Sequence, residues 1–246
     1  MLFFSEYDFC RQAFVGYTCR MIEIIPTHVP TSAADLAAGA ERIRNFSSSI
    51  HVDVDDGIFA PHVTWPYVSA GVFEPFELSS LAALDVEVHL MVEQPGEIGM
   101  AFARAGATRI IGHVEAFSNE DEVHAALDMW RRSGASEVGL GILMDTPFEL
   151  LEHHIFIVDV VHMMSIPTIG TQGIAFDPRS VDRIAEFHSK HPEIPISVDG
   201  GVSEGNIVSL IKAGASRFGV GSAISKAEDS KAAYARLKEL AESTVQ

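Results

Sequence analysis

The chain has 246 residues, of which 47% are hydrophobic and 21% charged, and this composition is typical of a globular protein rather than a disordered or fibrous one. The formal net charge of −17 opposes general binding to nucleic acid or anionic membranes, because both require a positive protein surface. The only cysteines, Cys10 and Cys19, exclude a disulfide framework and a cysteine zinc site. No apolar run of eighteen residues occurs, so no membrane span is expected, and the cytoplasm is the expected location.

Residues 1–20 differ in character from the rest of the chain. They contain both cysteines and several aromatic residues, but Glu6 and Asp8 interrupt any apolar run of signal-peptide length. Met21 then opens a segment with the pattern of a strand. We expect residues 1–20 to be an accessory arm or the product of a misplaced start codon, with an ordinary N-terminal helix as the alternative. Residues 21–246 are expected to form the catalytic domain.

From residue 22 onwards, short β-branched runs alternate with amphipathic segments. The runs begin about 28 residues apart on average, close to the roughly thirty residues that a strand and its returning helix require. Three helical segments end in a glycine where a C-cap belongs, at Gly106, Gly134 and Gly214. The predicted strands are 22–26, 50–54, 86–91, 108–114, 137–143, 156–164, 194–199 and 217–221. The segments with a helical pattern are 32–46, 96–106, 120–134, 178–191 and 204–215.

Eight strand–helix units without a Pro/Ser-rich linker predict a single (β/α)8 barrel. The alternative is an open doubly wound sheet, which a G-x-G-x-x-G motif after the first strand would favour, and that motif is absent. Barrels of this kind carry their chemistry at the C-terminal ends of the strands. The polar residues that end each predicted strand are therefore the candidate functional residues.

The second predicted strand ends in the segment H-V-D-V-D-D-G, 51–57. Because side chains alternate along a strand, His51, Asp53 and Asp55 are expected to face the barrel axis while the intervening apolar residues face the helices. Burying three such groups is costly unless something pairs with them.

Two further strands bring similar residues to the same mouth of the barrel. Alternation turns Glu87, His89 and Met91 inward on the third strand, and Asp199 ends the seventh. A single inward histidine is more often a hydrogen-bonded core residue, and a single aspartate at a strand end is often a helix cap. Two imidazoles and two carboxylates together favour a divalent metal site for Zn²⁺, Fe²⁺, Mn²⁺ or Co²⁺. The expected ligands are His51, Asp53, His89 and Asp199, and Glu87 is expected to hold one of the imidazoles.

Glycine-rich loops follow the seventh and eighth strands, at 198–202 and 219–224. Backbone N–H groups in such loops, with a helix N-terminus near Ser203 behind the first, can bind phosphate at the position usual for this fold. The alternative is that Gly200 and Gly201 merely form a tight turn. The segment 164–176, after the sixth strand, is expected to cover the substrate.

In sequence order, these motifs resemble the ribulose-phosphate 3-epimerase family over most of the chain. The resemblance implies a metal-dependent (β/α)8 barrel that inverts carbon 3 of a ketopentose 5-phosphate, with a small-molecule sugar phosphate as the partner and a homo-oligomer as the expected assembly. The motifs are I-x-P-T (24–27), H-V-D-V-x-D-G (51–57), V-H-L-M-V (88–92), H-V-E-A (113–116), M-S…G-x-Q (164–172), V-D-G-G-V (198–202) and G-S-A-I (221–224).

Carried over by position, the resemblance makes Asp53 and Asp199 the acid/base pair as well as metal ligands. Family members usually have methionine at the position of Asp55 and a more glycine-rich loop after the sixth strand. The ligand set is therefore intact while the residues around the substrate are altered, which indicates a related sugar phosphate. The substrate-binding positions are Thr27, Asp55, Met91, Met164, Gly170, Thr171, Gln172, Gly200, Gly201, Gly221 and Ser222.

The leading interpretation is a sugar-phosphate 3-epimerase that converts ribulose 5-phosphate to xylulose 5-phosphate, or acts on a close relative, through an ene-diolate. A metal-dependent aldolase or lyase acting on hexulose phosphates is a second interpretation, since it could use the same barrel. A non-catalytic sugar-phosphate-binding paralogue is a third, which a broken ligand set would favour.

Overall fold

A computed structural model describes residues 21–170 and 173–245, so the expected accessory arm, 1–20, lies outside the described residues. Eight parallel strands form a closed barrel in which each strand pairs with the next and the last pairs with the first, which confirms the (β/α)8 fold class. The strands are β1 (Glu23–His28), β2 (Ser49–Asp55), β3 (Asp85–Met91), β4 (Arg109–His113), β5 (Glu137–Ile142), β6 (Val160–Met164), β7 (Ile196–Asp199) and β8 (Arg217–Val220).

All eight predicted strands are present, but the predicted start of the sixth is wrong. Ile155–Ile157 form a 3-10 turn, and β6 begins only at Val160. The apolar run 155–158 is buried at Ile155 and Val158 by packing against the core, so it has strand-like composition without a strand partner.

The helices lie around the barrel and cover its outer face. Three of them end in Gly106, Gly134 and Gly214, which have φ angles of 110°, 126° and 117°, as predicted for C-caps that require a positive φ. The helices are α1 (Ala33–Arg44), α2 (Gly96–Ala105), α3 (Glu120–Ser133), α4 (Glu149–Glu152), α5 (Arg179–Lys190), α6 (Ile207–Ala213), α7 (Ser222–Ser225) and α8 (Ser230–Thr244). None of the helices in the described part of the chain has the length and apolar character needed to cross a membrane.

The expectation of eight regular strand–helix units is wrong at the second unit. Between β2 and β3 the described chain forms a short hairpin, Tyr67–Ser69 with Val72–Phe73, and a 3-10 turn, Ser79–Leu81, instead of an α-helix. This segment contains Pro61, Pro66 and Pro75, and proline removes a helical N–H donor and clashes with the preceding turn.

The core divides into two apolar layers that position the site. The larger cluster lies between barrel and helices and contains the outward-facing Ile50, Val52 and Val54, as predicted. A second, smaller cluster of buried residues contains Met91 and Met164 together with Ala60, Ile166 and Ile169. The strand register sets Asp53 beside His89 and Met164 beside Asp199, so the functional side chains end their strands at one level.

Candidate active site

A carboxylate held between two imidazoles forms the centre of the site. The Oδ1 atom of Asp53 lies 3.1 Å from Nε2 of His51 and 3.0 Å from Nδ1 of His89. Metal–nitrogen and metal–oxygen bonds of about 2.0–2.2 Å separate neighbouring ligand atoms by about 3.0–3.4 Å. The two distances are those of hydrogen bonds, and they also match the spacing of neighbouring ligands around one ion.

A third imidazole joins this group. His51, His89, His162 and Asp199 each offer a ligand atom, and these atoms all lie within 4.8 Å of one another. His162 comes from β6 and is fully buried, with its ring 5.6 Å from that of His51 and 4.5 Å from that of His89. The sequence analysis did not single out His162.

The signal for His162 was present in the strand pattern. Met164 was expected at the site, and His162 lies two positions before it on the same strand, so alternation also turns it inward. His113, at the end of β4, was likewise missed as part of this group. Its Nε2 atom lies 2.9 Å from Nε2 of His89, and the two rings are 5.0 Å apart.

A layer of hydrogen bonds beneath the imidazoles fixes their orientation. Nδ1 of His51 lies 2.7 Å from Oε1 of Glu87, which confirms that Glu87 holds an imidazole. The other carboxylate oxygen of Glu87 accepts a hydrogen bond of 3.2 Å from Arg217. A histidine that donates its second ring nitrogen to a carboxylate presents the first as a ligand, in the arrangement common behind metal-binding imidazoles.

The electrostatics of the two central carboxylates differ. Burial raises the pKa of Asp53, but the hydrogen bonds from His51 and His89 outweigh it and hold the pKa below its ordinary value. Burial, followed by the charge of Asp53, raises the pKa of Asp199 to about 6. Carboxyl groups whose environments separate their pKa values are suited to different acid and base roles.

The histidine side chains respond to the same surroundings. Burial lowers the pKa of His51, but hydrogen bonds to Asp53 and Glu87 outweigh it and raise the pKa well above the ordinary range. Burial and the charges of the neighbouring imidazoles lower the pKa of His162 well below that range.

The donor chemistry fits a divalent transition metal. Imidazole nitrogens and carboxylate oxygens are typical ligands of zinc, iron, manganese and cobalt, and Nε2 of His162 is buried without a hydrogen-bond partner. A buried polar atom without a partner requires an explanation, and a cation at this position would supply one. His51, His89, His162 and Asp199 would contribute donors, and Asp53 lies in contact with two of them.

A cavity opens above this cluster. Its lining includes Asp53, Asp199, Ile166 and Ile174, so the two carboxylates face the space in which a ligand would bind. Thr171 and Gln172 lie outside the described residues, and the other predicted substrate-binding positions all line the cavity. They are Thr27, Asp55, Met91, Met164, Gly170, Gly200, Gly201, Gly221 and Ser222.

Asp55 is the most unusual group in this wall. It is 1% exposed, and neither of its carboxylate oxygens has a hydrogen-bond partner among the described residues. Burial, followed by the charges of Asp53 and Asp56, raises the pKa of Asp55 to about 8. The neighbouring Asp56 differs, because it accepts backbone hydrogen bonds from Ile58 and Phe59 and therefore has a structural role.

The loop after β7 passes close to neighbouring backbone. Gly201 has a φ angle of +69°, and a Cβ atom there would lie 3.0 Å from the backbone nitrogen of Phe176. Ser165 secures the loop by donating to the carbonyl oxygens of Asp199 at 2.9 Å and Gly200 at 2.6 Å. The helix expected near Ser203 begins at Ile207, because a turn that joins Ser203 to Asn206 occupies the first positions.

Comparisons with known proteins agree with this architecture. The model of the ribulose-phosphate 3-epimerase family matches residues 23–225. Ribulose-phosphate 3-epimerase of Aquifex aeolicus is 33% identical over 207 residues, which cover 82% of this chain and 89% of that protein. The enzyme of the same name from Bacillus subtilis is 30% identical, with coverage of 89% and 99%.

Solved structures extend the likeness of the fold alone. 3-Hexulose-6-phosphate synthase from Salmonella typhimurium superposes with a TM-score of 0.65 at 11% identity, covering 91% of this chain and all of that one. Orotidine 5′-phosphate decarboxylase from Pyrococcus horikoshii gives a TM-score of 0.59 at 18% identity, with coverage of 89% and 99%. The family match and the curated relatives are more specific, and they establish that this chain belongs to the ribulose-phosphate 3-epimerase family, a family of isomerases.

Proposed function

We propose that this protein is a metal-dependent epimerase that inverts carbon 3 of a ketose phosphate, either ribulose 5-phosphate to xylulose 5-phosphate or a close relative. The observation that carries the proposal is that Asp53 and Asp199 line one cavity beside a cluster of imidazoles. Their strands, β2 and β7, are separated by β1 and β8 around the barrel, so the two carboxylates can approach a substrate from different sides.

Inversion requires a base on one face of the carbon and an acid on the other. One carboxylate removes the proton from carbon 3, and the other, in its protonated form, delivers a proton to the opposite face. The opposite directions of the pKa shifts support this division, because Asp53 favours its ionised form while Asp199 is protonated more readily than an ordinary aspartate. When bound, the divalent ion supplies positive charge that stabilises the negative charge developing on the substrate oxygens.

The apolar wall supports a planar, ene-diolate-like intermediate. Met91 and Met164 pack with Ala60, Ile166 and Ile169 at the edge of the cavity. Thioether side chains are polarisable and cannot donate a competing proton, so they can contact the intermediate without quenching it. These residues would also exclude water from the carbon that loses its proton.

The glycine loops are proposed to receive the phosphate. Gly200, Gly201, Gly221 and Ser222 line the same cavity as the carboxylates. Backbone N–H groups of such loops bind anions without a positively charged side chain, which is compatible with the net charge of −17. Gly170, Thr171 and Gln172 stay proposed substrate-binding positions, as the sequence predicts.

Asp55 is proposed to determine which sugar phosphate is used. Its unpartnered oxygens face the cavity close to Gly170, where they can accept from, or when protonated donate to, a substrate hydroxyl. A site built to hydrogen-bond a hydroxyl discriminates strongly against an analogue without it, because its own polar groups are then left unpaired.

Solvent exchange tests the proposed reaction. The metal-loaded protein is incubated with a panel of ketose phosphates in heavy water, and exchange at carbon 3 is followed by NMR. We expect deuterium at carbon 3 together with the appearance of the second epimer for at least one ketose phosphate. Release of an aldehyde from a hexulose phosphate would instead indicate a lyase. Absence of exchange with every substrate would overturn the proposal.

A further inference from the structure

His162 is the feature of the site that the acid/base chemistry does not explain. It is 0% exposed, lies on β6 and is not among the residues that line the cavity. Its Nδ1 atom lies 3.0 Å from Oγ of Ser197, whereas its Nε2 atom has no partner. One nitrogen is therefore fixed by the protein, and the other is left available inside a group of metal-binding side chains.

We infer that His162 is a ligand of the divalent metal, in addition to the His51, Asp53, His89 and Asp199 set, and that it increases the affinity of the site for metals that favour imidazole. The inference rests on the metal site of the proposed function. It depends on position: a ligand atom of His162 lies within 4.8 Å of those of His51, His89 and Asp199.

The contacts of the other two imidazoles explain why His162 is the free donor. His51 is bonded through Nδ1 to Glu87 and through Nε2 to Asp53, and His89 is bonded to Asp53 and His113. Both rings thus have partners at each nitrogen, and a metal would replace a contact that they already make. Of the three imidazoles that offer ligand atoms here, those of His51, His89 and His162, only that of His162 has a ring nitrogen without a hydrogen bond within the described structure.

Ser197 has the position of a supporting group. Ser197 on β7 is paired in register with His162 on β6, and Ser197 is fully buried. If Nδ1–H of His162 donates to Oγ of Ser197, this bond fixes the orientation of the ring and directs an unprotonated Nε2 towards the other ligand atoms, as second partners do for metal-binding histidines. An imidazole that served only to fill the core would not need its second nitrogen to face three other ligands.

A third imidazole has a predictable effect on metal preference. Nitrogen donors suit zinc, cobalt and iron, whereas manganese and magnesium prefer oxygen donors. A site with three imidazoles should therefore prefer Zn²⁺ or Co²⁺ over Mn²⁺ more strongly than one with two. Removal of His162 should reduce this preference as well as the affinity.

The experiment compares metal binding of the full-length protein with that of His162→Leu, His162→Gln and Ser197→Ala. Affinities for Zn²⁺, Co²⁺ and Mn²⁺ are measured by competition with a chelator, and the visible absorption of the Co²⁺ form reports its coordination. Replacement of second partners typically costs about 10–100-fold in affinity, so we expect this for Ser197→Ala and a Zn²⁺ loss of about 100-fold or more for the His162 variants. The Mn²⁺ loss should be smaller.

The apo forms separate a ligand from a core residue. Leucine removes the unpartnered Nε2 but leaves the buried hydroxyl of Ser197 without its Nδ1 partner, so the metal-free His162→Leu protein should lose a modest amount of Tm, while the rise in Tm on adding Zn²⁺ should shrink. The glutamine variant keeps a polar group and covers the case in which leucine prevents folding. His154→Leu is the matched control, because His154 is buried at 2% exposure away from the cavity and bonds to His124.

The outcomes distinguish this inference from the proposed function. An unchanged Co²⁺ spectrum and unchanged Zn²⁺ affinity in both His162 variants would overturn the role of His162 and leave the epimerase proposal standing. A wild-type protein that binds no divalent metal would overturn both. A spectrum altered only in the His162 variants, and not in His154→Leu, would support the inference.

Discussion

The two ends of the barrel both bury charged side chains, but they satisfy them differently. At the amino ends of the strands, Arg109 bonds Glu23 at 2.8 Å and Arg217 bonds Glu137 at 2.8 Å and Glu87 at 3.2 Å. At the carboxyl ends, buried oxygen and nitrogen atoms lack partners among the described residues. These atoms are Oγ1 of Thr27, both carboxylate oxygens of Asp55 and Nε2 of His162, whereas Nδ1 of His113 and Oε2 of Glu115 lie 3.4 Å apart and form an ion pair.

This difference indicates that one end of the barrel stabilises the fold and the other binds the ligand. A closed ionic network beneath the barrel resembles the structural face of this fold, whereas chemistry belongs to the carboxyl face. Native proteins rarely leave buried polar atoms unpaired, so a group of them on one face indicates that a ligand completes the bonding. Substitutions at the two ends should therefore have separable effects.

The largest expected effect comes from the carboxylates at the carboxyl end. Asp53→Asn and Asp199→Asn should each reduce epimerisation by about 10²–10⁴-fold, because the substrate carbon then lacks an acid/base group on one face. The remaining carboxylate can still remove and return a proton on its own side. Each variant should therefore exchange deuterium into only one epimer, and the two variants should favour opposite epimers, as measured by NMR in heavy water.

Two controls make this result interpretable. Metal content is measured for each variant first, because both residues are also expected ligands. Asp85→Asn, an exposed position at the amino end of β3, should leave turnover close to that of the wild type. If metal-loaded Asp53→Asn and Asp199→Asn exchange the proton of the same epimer, the two-face mechanism is wrong.

A smaller effect is expected where the two ends meet, at Glu87. This carboxylate accepts from His51 on one side and from Arg217 on the other. Glu87→Gln should lower metal affinity by about 10–100-fold, because the imidazole of His51 loses its anionic partner. It should also lower Tm, since a buried cation then has one fewer counter-charge.

Glu137→Gln is the matched control for Glu87. It alters the same network through Arg217 but does not touch an imidazole. Chelator competition should give wild-type metal affinity for this variant, with a small decrease in Tm. Equal losses of metal affinity in both variants would mean that the network acts on the site as a whole rather than through His51.

The difference between the two ends also explains what the sequence could predict. Strand alternation identified the inward positions of His51, Asp53 and His89, because a period of two is local information. It missed His162, whose strand reads as a continuous apolar run in which one histidine is easily taken for a core residue. Arg109 and Arg217 were missed because they lie far apart in sequence, and only barrel closure brings them to the same carboxylates.

The turns were predicted where a single residue decides the conformation. Glycine C-caps followed from the need for a positive φ at Gly106, Gly134 and Gly214. The absence of a helix in the second unit was not predicted, although Pro61, Pro66 and Pro75 provided the signal. The start of α6 was placed too early because, in the turn before it, the backbone N–H of Ser203 donates to Oδ1 of Asn206, a bond that a glycine pattern does not encode.

The smallest expected effect concerns the unpartnered carboxyl at the carboxyl end. The raised pKa of Asp55, about 8, means that the folded state holds this proton more tightly than the unfolded state does. Between about pH 4 and pH 8 the folded protein therefore binds more protons at this position, and the free energy of unfolding falls as the pH rises. Asp55→Asn removes the ionisable group and should remove this part of the pH dependence.

The measurement is the Tm of EDTA-treated wild type and Asp55→Asn at pH 5 and pH 8, so that bound metal does not contribute. Relative to the wild type, the free energy of unfolding of the variant should be higher at pH 8 than at pH 5 by about 1 kcal/mol or more. This corresponds to about 2–4 °C in Tm for a domain of this size. Asp85→Asn, at the exposed position, should show no such pH-dependent gain. A variant less stable than the wild type at pH 8 would mean that the Asp55 carboxylate is stabilised in its ionised form. Asp55 would then resemble the hydrogen-bonded charged side chains at the amino ends of the strands, and the difference between the two ends would not hold at this residue.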